Sequence, residues 1–154
     1  MFIKKHPTAQ EIILAYDNKA SLSEKQDWFT SLPEKLLKTK RHKDTQYYVA
    51  QFLDKRITDE PNIVIKHEVL FVFGALADAN YFEASVERDV VAMLKKKAEL
   101  YADSIVFVHE YLAALGFFHN SQHIVGEILL RYRDNANSRD IRHTAEVALA
   151  RISS

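Results

Sequence analysis

The chain contains no cysteine, which removes disulfides, zinc–thiolate sites, iron–sulfur clusters and thiol nucleophiles from consideration. Any metal it holds must be bound by histidine and carboxylate. Glycine and proline are scarce, three of each in 154 residues, whereas an all-β chain builds many tight turns from both. Charge of one sign is also missing. The 21 Lys and Arg balance 21 Asp and Glu, so nothing electrostatic favours DNA, RNA or an anionic membrane. Short basic clusters at 38–43 and 95–97 read as solvated helix faces. No apolar run approaches the roughly 18 residues of a membrane span. The opening Met1-Phe2-Ile3-Lys4-Lys5 lacks the apolar core of a signal peptide. A cytoplasmic location is the expectation. There is no phosphate-cradling glycine loop, no nucleophile elbow and no His-Glu-x-x-His zinc signature.

What is present is helical periodicity. Apolar residues make up 47% and charged residues 27%, and the length suits one domain spanning residues 1–154. Thr8 with Glu11 forms a capping-box pattern that opens a helix through Tyr16. Ser21 or Ser23 opens a short helix containing Trp28 and Phe29. Pro33 suits the first position of a third helix, running to about Lys40. Asp44 caps a fourth, with Tyr47, Tyr48, Phe52 and Leu53 at helical spacing. Pro61 interrupts, because the residue before a proline avoids helix. Asn62 then starts an apolar helix to about Leu76, and Ser85 leads into an amphipathic one. Asp103 or Ser104 caps a second apolar helix to Phe118, and Ser121 starts its amphipathic partner. Ser138 or Asp140 opens the last helix, to about Ile152. Helices 62–76 and 104–118 are apolar nearly all round and should be buried on most sides. Their one-sided successors should form an outer layer. The fold class this predicts is all-α, with stacked antiparallel helix pairs.

Three stretches align without gaps, at residues 65–76, 107–118 and 141–152. His67, His109 and His143 take equivalent places, followed seven residues later by Gly74, Gly116 and Ala150. The histidines are 42 and 34 residues apart, which brackets the period of HEAT-type repeats. Seven residues are nearly two helical turns, so a small residue there lets a neighbouring helix approach closely on the histidine's side. Stacking such pairs gives an α-solenoid. The 47–53 segment reads as a more diverged earlier copy.

Two of the three histidines are followed by glutamate, as His67-Glu68 and His109-Glu110. Two such steps on neighbouring helices would place four potential ligands along one wall. Imidazole with carboxylate suits iron or manganese, and zinc to a lesser degree. Helical proteins build di-iron sites from the same side chains. The plainer reading is a pair of polar steps on a solvent face. His143 reads as structural, and His119 and His123 as exposed residues of a helix–helix link. His6 and His42 belong to no constellation.

The pattern Lys66-His67-Glu68…Gly74 and His109-Glu110…Gly116 resembles the paired His-Glu repeats of deoxyhypusine hydroxylase. The similarity covers roughly residues 60–152, including Glu146-Val147-Ala148-Leu149, and residues 1–58 match only loosely. That resemblance implies a HEAT-like enzyme with a non-haem di-iron centre that uses molecular oxygen to hydroxylate a modified lysine on a protein substrate. By the same resemblance His67, Glu68 and His109 are metal ligands. Glu110 faces the cationic amine of the substrate as the catalytic carboxylate. The family carries four His-Glu steps in two similar halves, and this chain carries two. A symmetric homodimer with two irons would restore the number. The alternative is a HEAT-like scaffold without catalysis, whose concave face binds a protein partner.

Overall fold

The computed structural model describes residues 6–153; the Met1–Lys5 stretch, which lacks a signal-peptide core, lies outside them. Among the described residues the chain forms eight α-helices, one short 3-10 turn and no strand. The helices are α1 (Ala9–Leu14), α2 (Leu22–Leu37), α3 (Lys43–Asp59) and α4 (Ile63–Asp78). They continue with α5 (Ala84–Leu100), α6 (Ile105–Leu115), α7 (Gln122–Asn135) and α8 (Arg139–Ile152). No described helix is long and apolar enough to cross a membrane.

Local side-chain chemistry sets most of the starts. The side-chain oxygens of Thr8, Ser21, Asn62, Ser104 and Ser138 each accept from a backbone N–H in the first turn of the following helix. Each satisfies a donor that the helix itself leaves unpaired. Glu60, just before Pro61, is extended at φ −79° and ψ 118° and ends α3 as the proline requires. Three starts depart from expectation. Helix α3 begins after His42, with Asp44 in its first turn rather than at its cap. Helix α5 begins after Glu83, ahead of Ser85. Ser121 precedes α7 without capping it, because its hydroxyl donates to the buried Glu87 carboxylate at 2.7 Å.

Pro33 is the larger departure. It lies inside α2, which runs unbroken from Leu22 to Leu37, instead of opening a separate helix. A proline in a helix interior costs about 3 kcal/mol. Phe29, Leu32 and Leu36 are each at most 1% exposed, and burying each contributes roughly 1.5–3 kcal/mol. A break at Pro33 would split that face, so burial outweighs the backbone penalty.

Helix α2 packs on α4, α4 on α6, and α6 on α8. In the other layer α1 packs on α3 and α3 on α5, while α7 lies along α8. The three aligned stretches therefore sit in consecutive helices of one row. The row's first member is α2, and the 47–53 segment falls in α3, in the other layer.

The glycines at the aligned position do what their spacing requires. A Cβ added at Gly74 would lie 3.4 Å from the Ala114 Cα of α6. One added at Gly116 would lie 3.2 Å from both the Cα and Cβ of Ala148 in α8. At Gly116 the backbone of the next helix crowds the space a side chain would need, whereas at Gly74 the Ala114 backbone is at ordinary contact and the tighter neighbour is the Phe117 ring at 3.3 Å. Ala150, in the last helix of the row, is exposed and meets no such constraint.

Candidate functional site

The same row brings three of the four His-Glu side chains together. His67 projects from α4 and the His109-Glu110 step from α6. The Nε2 of His67 lies 3.0 Å from Oε1 of Glu110, and the Nε2 of His109 lies 3.6 Å from the same oxygen. Glu68 stands beside the group, with its Oε1 3.9 Å from Nδ1 of His67. The two glutamates are about four-fifths shielded, at 19% and 21% side-chain exposure. His67 is half-buried, and His109 is exposed on one side. A shallow cavity of about 420 Å³ opens over His67, His109, Glu110, His143 and Thr144, with Ile105 and Val106 at its edge.

Hydrogen bonding sets the tautomer of His109. Thr144 Oγ1 donates to the Asp140 carbonyl at 2.9 Å within α8, so its lone pairs are what remain for the imidazole 2.8 Å away. His109 Nδ1–H is then the donor, and the neutral ring carries its lone pair on Nε2. That lone pair faces a carboxylate oxygen at 3.6 Å. His67 Nε2 lies 3.0 Å from Glu110 Oε1 and its Nδ1 3.9 Å from Glu68 Oε1, as charge-pair contacts rather than aligned hydrogen bonds. Two imidazoles and two carboxylates thus converge, an arrangement that a cation between them, proton or metal, would stabilise.

A ladder runs through these contacts. His67 reaches the residue after the next helix's histidine, Glu110, and His109 reaches the residue after the next one again, Thr144. Thr144 is a site residue that the His-Glu motif does not mark. Its signal in the sequence is its alignment with Glu68 and Glu110 in the third copy. His143 is exposed on the cavity wall rather than packed as a structural residue. His123 is exposed and lies 3.5 Å from Glu127, and His119 is half-buried in the 3-10 turn. Both lie outside the cluster.

As donors, two imidazoles and one or two carboxylates fit iron or manganese in kind. Their number and spacing fall short within one chain. Among the described residues no group of three or more His, Asp or Glu is placed to hold a metal ion.

Lys66, next to His67, points the other way. It is 7% exposed. Its ammonium donates to the Ile57 carbonyl near the end of α3 and stands 4.6 Å from the Tyr101 ring centroid. It therefore ties α4 to α3 and faces away from the histidine cluster. Compared with known proteins, the chain matches no family model, no curated protein and no solved structure.

Proposed function

We propose that this chain is a HEAT-like α-solenoid whose His67–Glu110–His109 cluster is half of a carboxylate–histidine metal site, completed by a second copy of the chain. The observation that carries the reading is the convergence of His67 Nε2 and His109 Nε2 on Glu110 Oε1, at 3.0 and 3.6 Å, with His109 Nδ1 held by Thr144. His67, Glu68 and His109 would be the ligands of each half, and a two-fold axis would bring together the two sets. Iron held in such a site would supply redox chemistry with molecular oxygen, the activity the resemblance to deoxyhypusine hydroxylase implies.

The chain's own residues have definable parts in this scheme. Thr144 holds the His109 ring with Nε2 presented outward, as partners of metal-bound imidazoles commonly do. Glu110, mostly shielded and negative when ionised, attracts the cationic amine of a protein substrate. Ile105 and Val106, exposed at the start of α6, give that substrate or the second copy an apolar surface beside the cluster.

The test is metal content per chain, with sedimentation to follow assembly, for the wild type and for His67→Ala/His109→Ala. Both rings are partly exposed, so the variant should fold. The reading expects about one iron per chain in a dimeric wild type and none in the variant. Wild type that stays metal-free after anaerobic loading with ferrous iron overturns it.

A second reading is favoured by the ladder itself. His67 to Glu110 and His109 to Thr144 are equivalent contacts between consecutive helices, so they could serve only to staple a non-catalytic scaffold. In that case the double variant loses stability, and no metal binds to either protein.

A further inference from the structure

A second cavity, of about 590 Å³, opens where α5, α6, α7 and the start of α8 meet. That volume suits a small organic ligand. Its walls are apolar, formed by Ile105, Val108, Ile128 and Ile141. The Tyr111 side chain lies in the wall and is 1% exposed. Among the described residues its hydroxyl has no hydrogen-bond partner. Burial, aided by Tyr132 and Glu99 nearby, pushes the Tyr111 phenol well above its ordinary pKa. It is therefore a neutral donor. That hydroxyl is not fully shielded from solvent, and its open side is the cavity, where a ligand oxygen can accept from it. The Tyr132 ring stands edge-on to it, 6.3 Å between centroids.

Charge at the mouth narrows the ligand class. Lys95 and Arg131 are exposed there, and neither is in an ion pair among the described residues. Glu99 is the one acid lining the cavity, so the mouth carries a net positive charge.

We propose that this cavity binds a small aromatic carboxylate. Its acid group sits between Lys95 and Arg131, its ring packs against Ile105, Val108 and Ile128, and a ring oxygen accepts from Tyr111. The inference does not depend on the metal reading, although the two cavities share Ile105 and Ile141 as a wall.

The test is isothermal titration calorimetry of chelator-treated full-length protein with 4-hydroxyphenylacetate. Phenylacetate, the neutral alcohol tyrosol and the amine tyramine serve as comparisons. Saturable binding of the hydroxylated acid is expected, and Lys95→Gln/Arg131→Gln should weaken it about tenfold while leaving tyrosol unchanged. Ala102→Trp, at an exposed position lining the mouth, should abolish binding. Tyr111→Phe, which preserves the ring, should cost 4-hydroxyphenylacetate about tenfold and phenylacetate little. No saturable binding at millimolar acid, tighter binding of tyramine than of the acid, or acid binding unchanged by both Ala102→Trp and Tyr111→Phe would each overturn the proposal.

Discussion

Replacing Gly116 by alanine separates the close helix contact from helix propensity. Gly116 is the C-cap residue of α6, with φ −63° and ψ −11°, which alanine adopts without strain. Replacing glycine by alanine in such a conformation gains about 0.4–1 kcal/mol from the unfolded chain, so backbone propensity favours Gly116→Ala. Geometry opposes it. The new methyl would lie 3.2 Å from Ala148 Cα and 3.2 Å from Ala148 Cβ, and a backbone atom in the middle of α8 cannot swing aside. Helices α6 and α8 must part by a few tenths of an ångström, and overpacking of this kind costs about 1–3 kcal/mol. The net effect is a loss of about 0–2.5 kcal/mol once propensity is subtracted. For a protein of this size that lowers Tm by up to roughly 8 °C. Gly126, inside α7, is the internal control. A Cβ there meets nothing within 4 Å, so Gly126→Ala should gain about 0.5–1 kcal/mol. Differential scanning calorimetry of both variants checks the pair. A Gly116→Ala protein stabilised as much as Gly126→Ala would refute the claim that this glycine is needed for the α6–α8 approach. Two variants shifting in the same direction would refute the contrast.

Lys66→Met should cost about 1–3 kcal/mol, read from urea midpoints, because it keeps the apolar stem but leaves the Ile57 carbonyl without its partner. An unchanged midpoint would mean that the ammonium contributes nothing. Two buried carboxylates should give opposite pH responses. Burial pushes Glu87 up, only partly offset by the Ser121 hydroxyl. It binds a proton more tightly folded than unfolded, so its contribution falls as pH rises from the unfolded value through the folded one. Glu87→Gln should remove that decline. For Glu60, burial alone would raise the pKa, but the Tyr16 hydroxyl and the Lys25 ammonium, 2.9 Å away, bring it below the ordinary value. Its stabilisation is present above the unfolded pKa and is lost as pH falls through the folded one. Glu60→Gln should flatten the acid limb of the stability curve, and denaturation at a series of pH values distinguishes the two.

The helical class and most boundaries were legible in the sequence because the signals that set them are local. Thr8, Ser21, Asn62, Ser104 and Ser138 act on N–H groups at most three residues away, and Pro61 acts on the residue before it. The aligned stretches of His67, His109 and His143 lie in α4, α6 and α8, which pack in succession, with Gly116 at a close backbone contact. What the sequence left open depended on partners far along the chain. Pro33 stays helical because Phe29, Leu32 and Leu36 are buried together. Ser121 serves Glu87, 34 residues earlier, instead of capping its own helix. Thr144 becomes the partner of His109 only once α8 lies beside α6. The cavity lined by Tyr111 is space left between four helices and belongs to no single segment. Capping and periodicity are written within a few consecutive residues. Which faces meet, and which polar groups find a partner there, was decided by the packing of the whole chain.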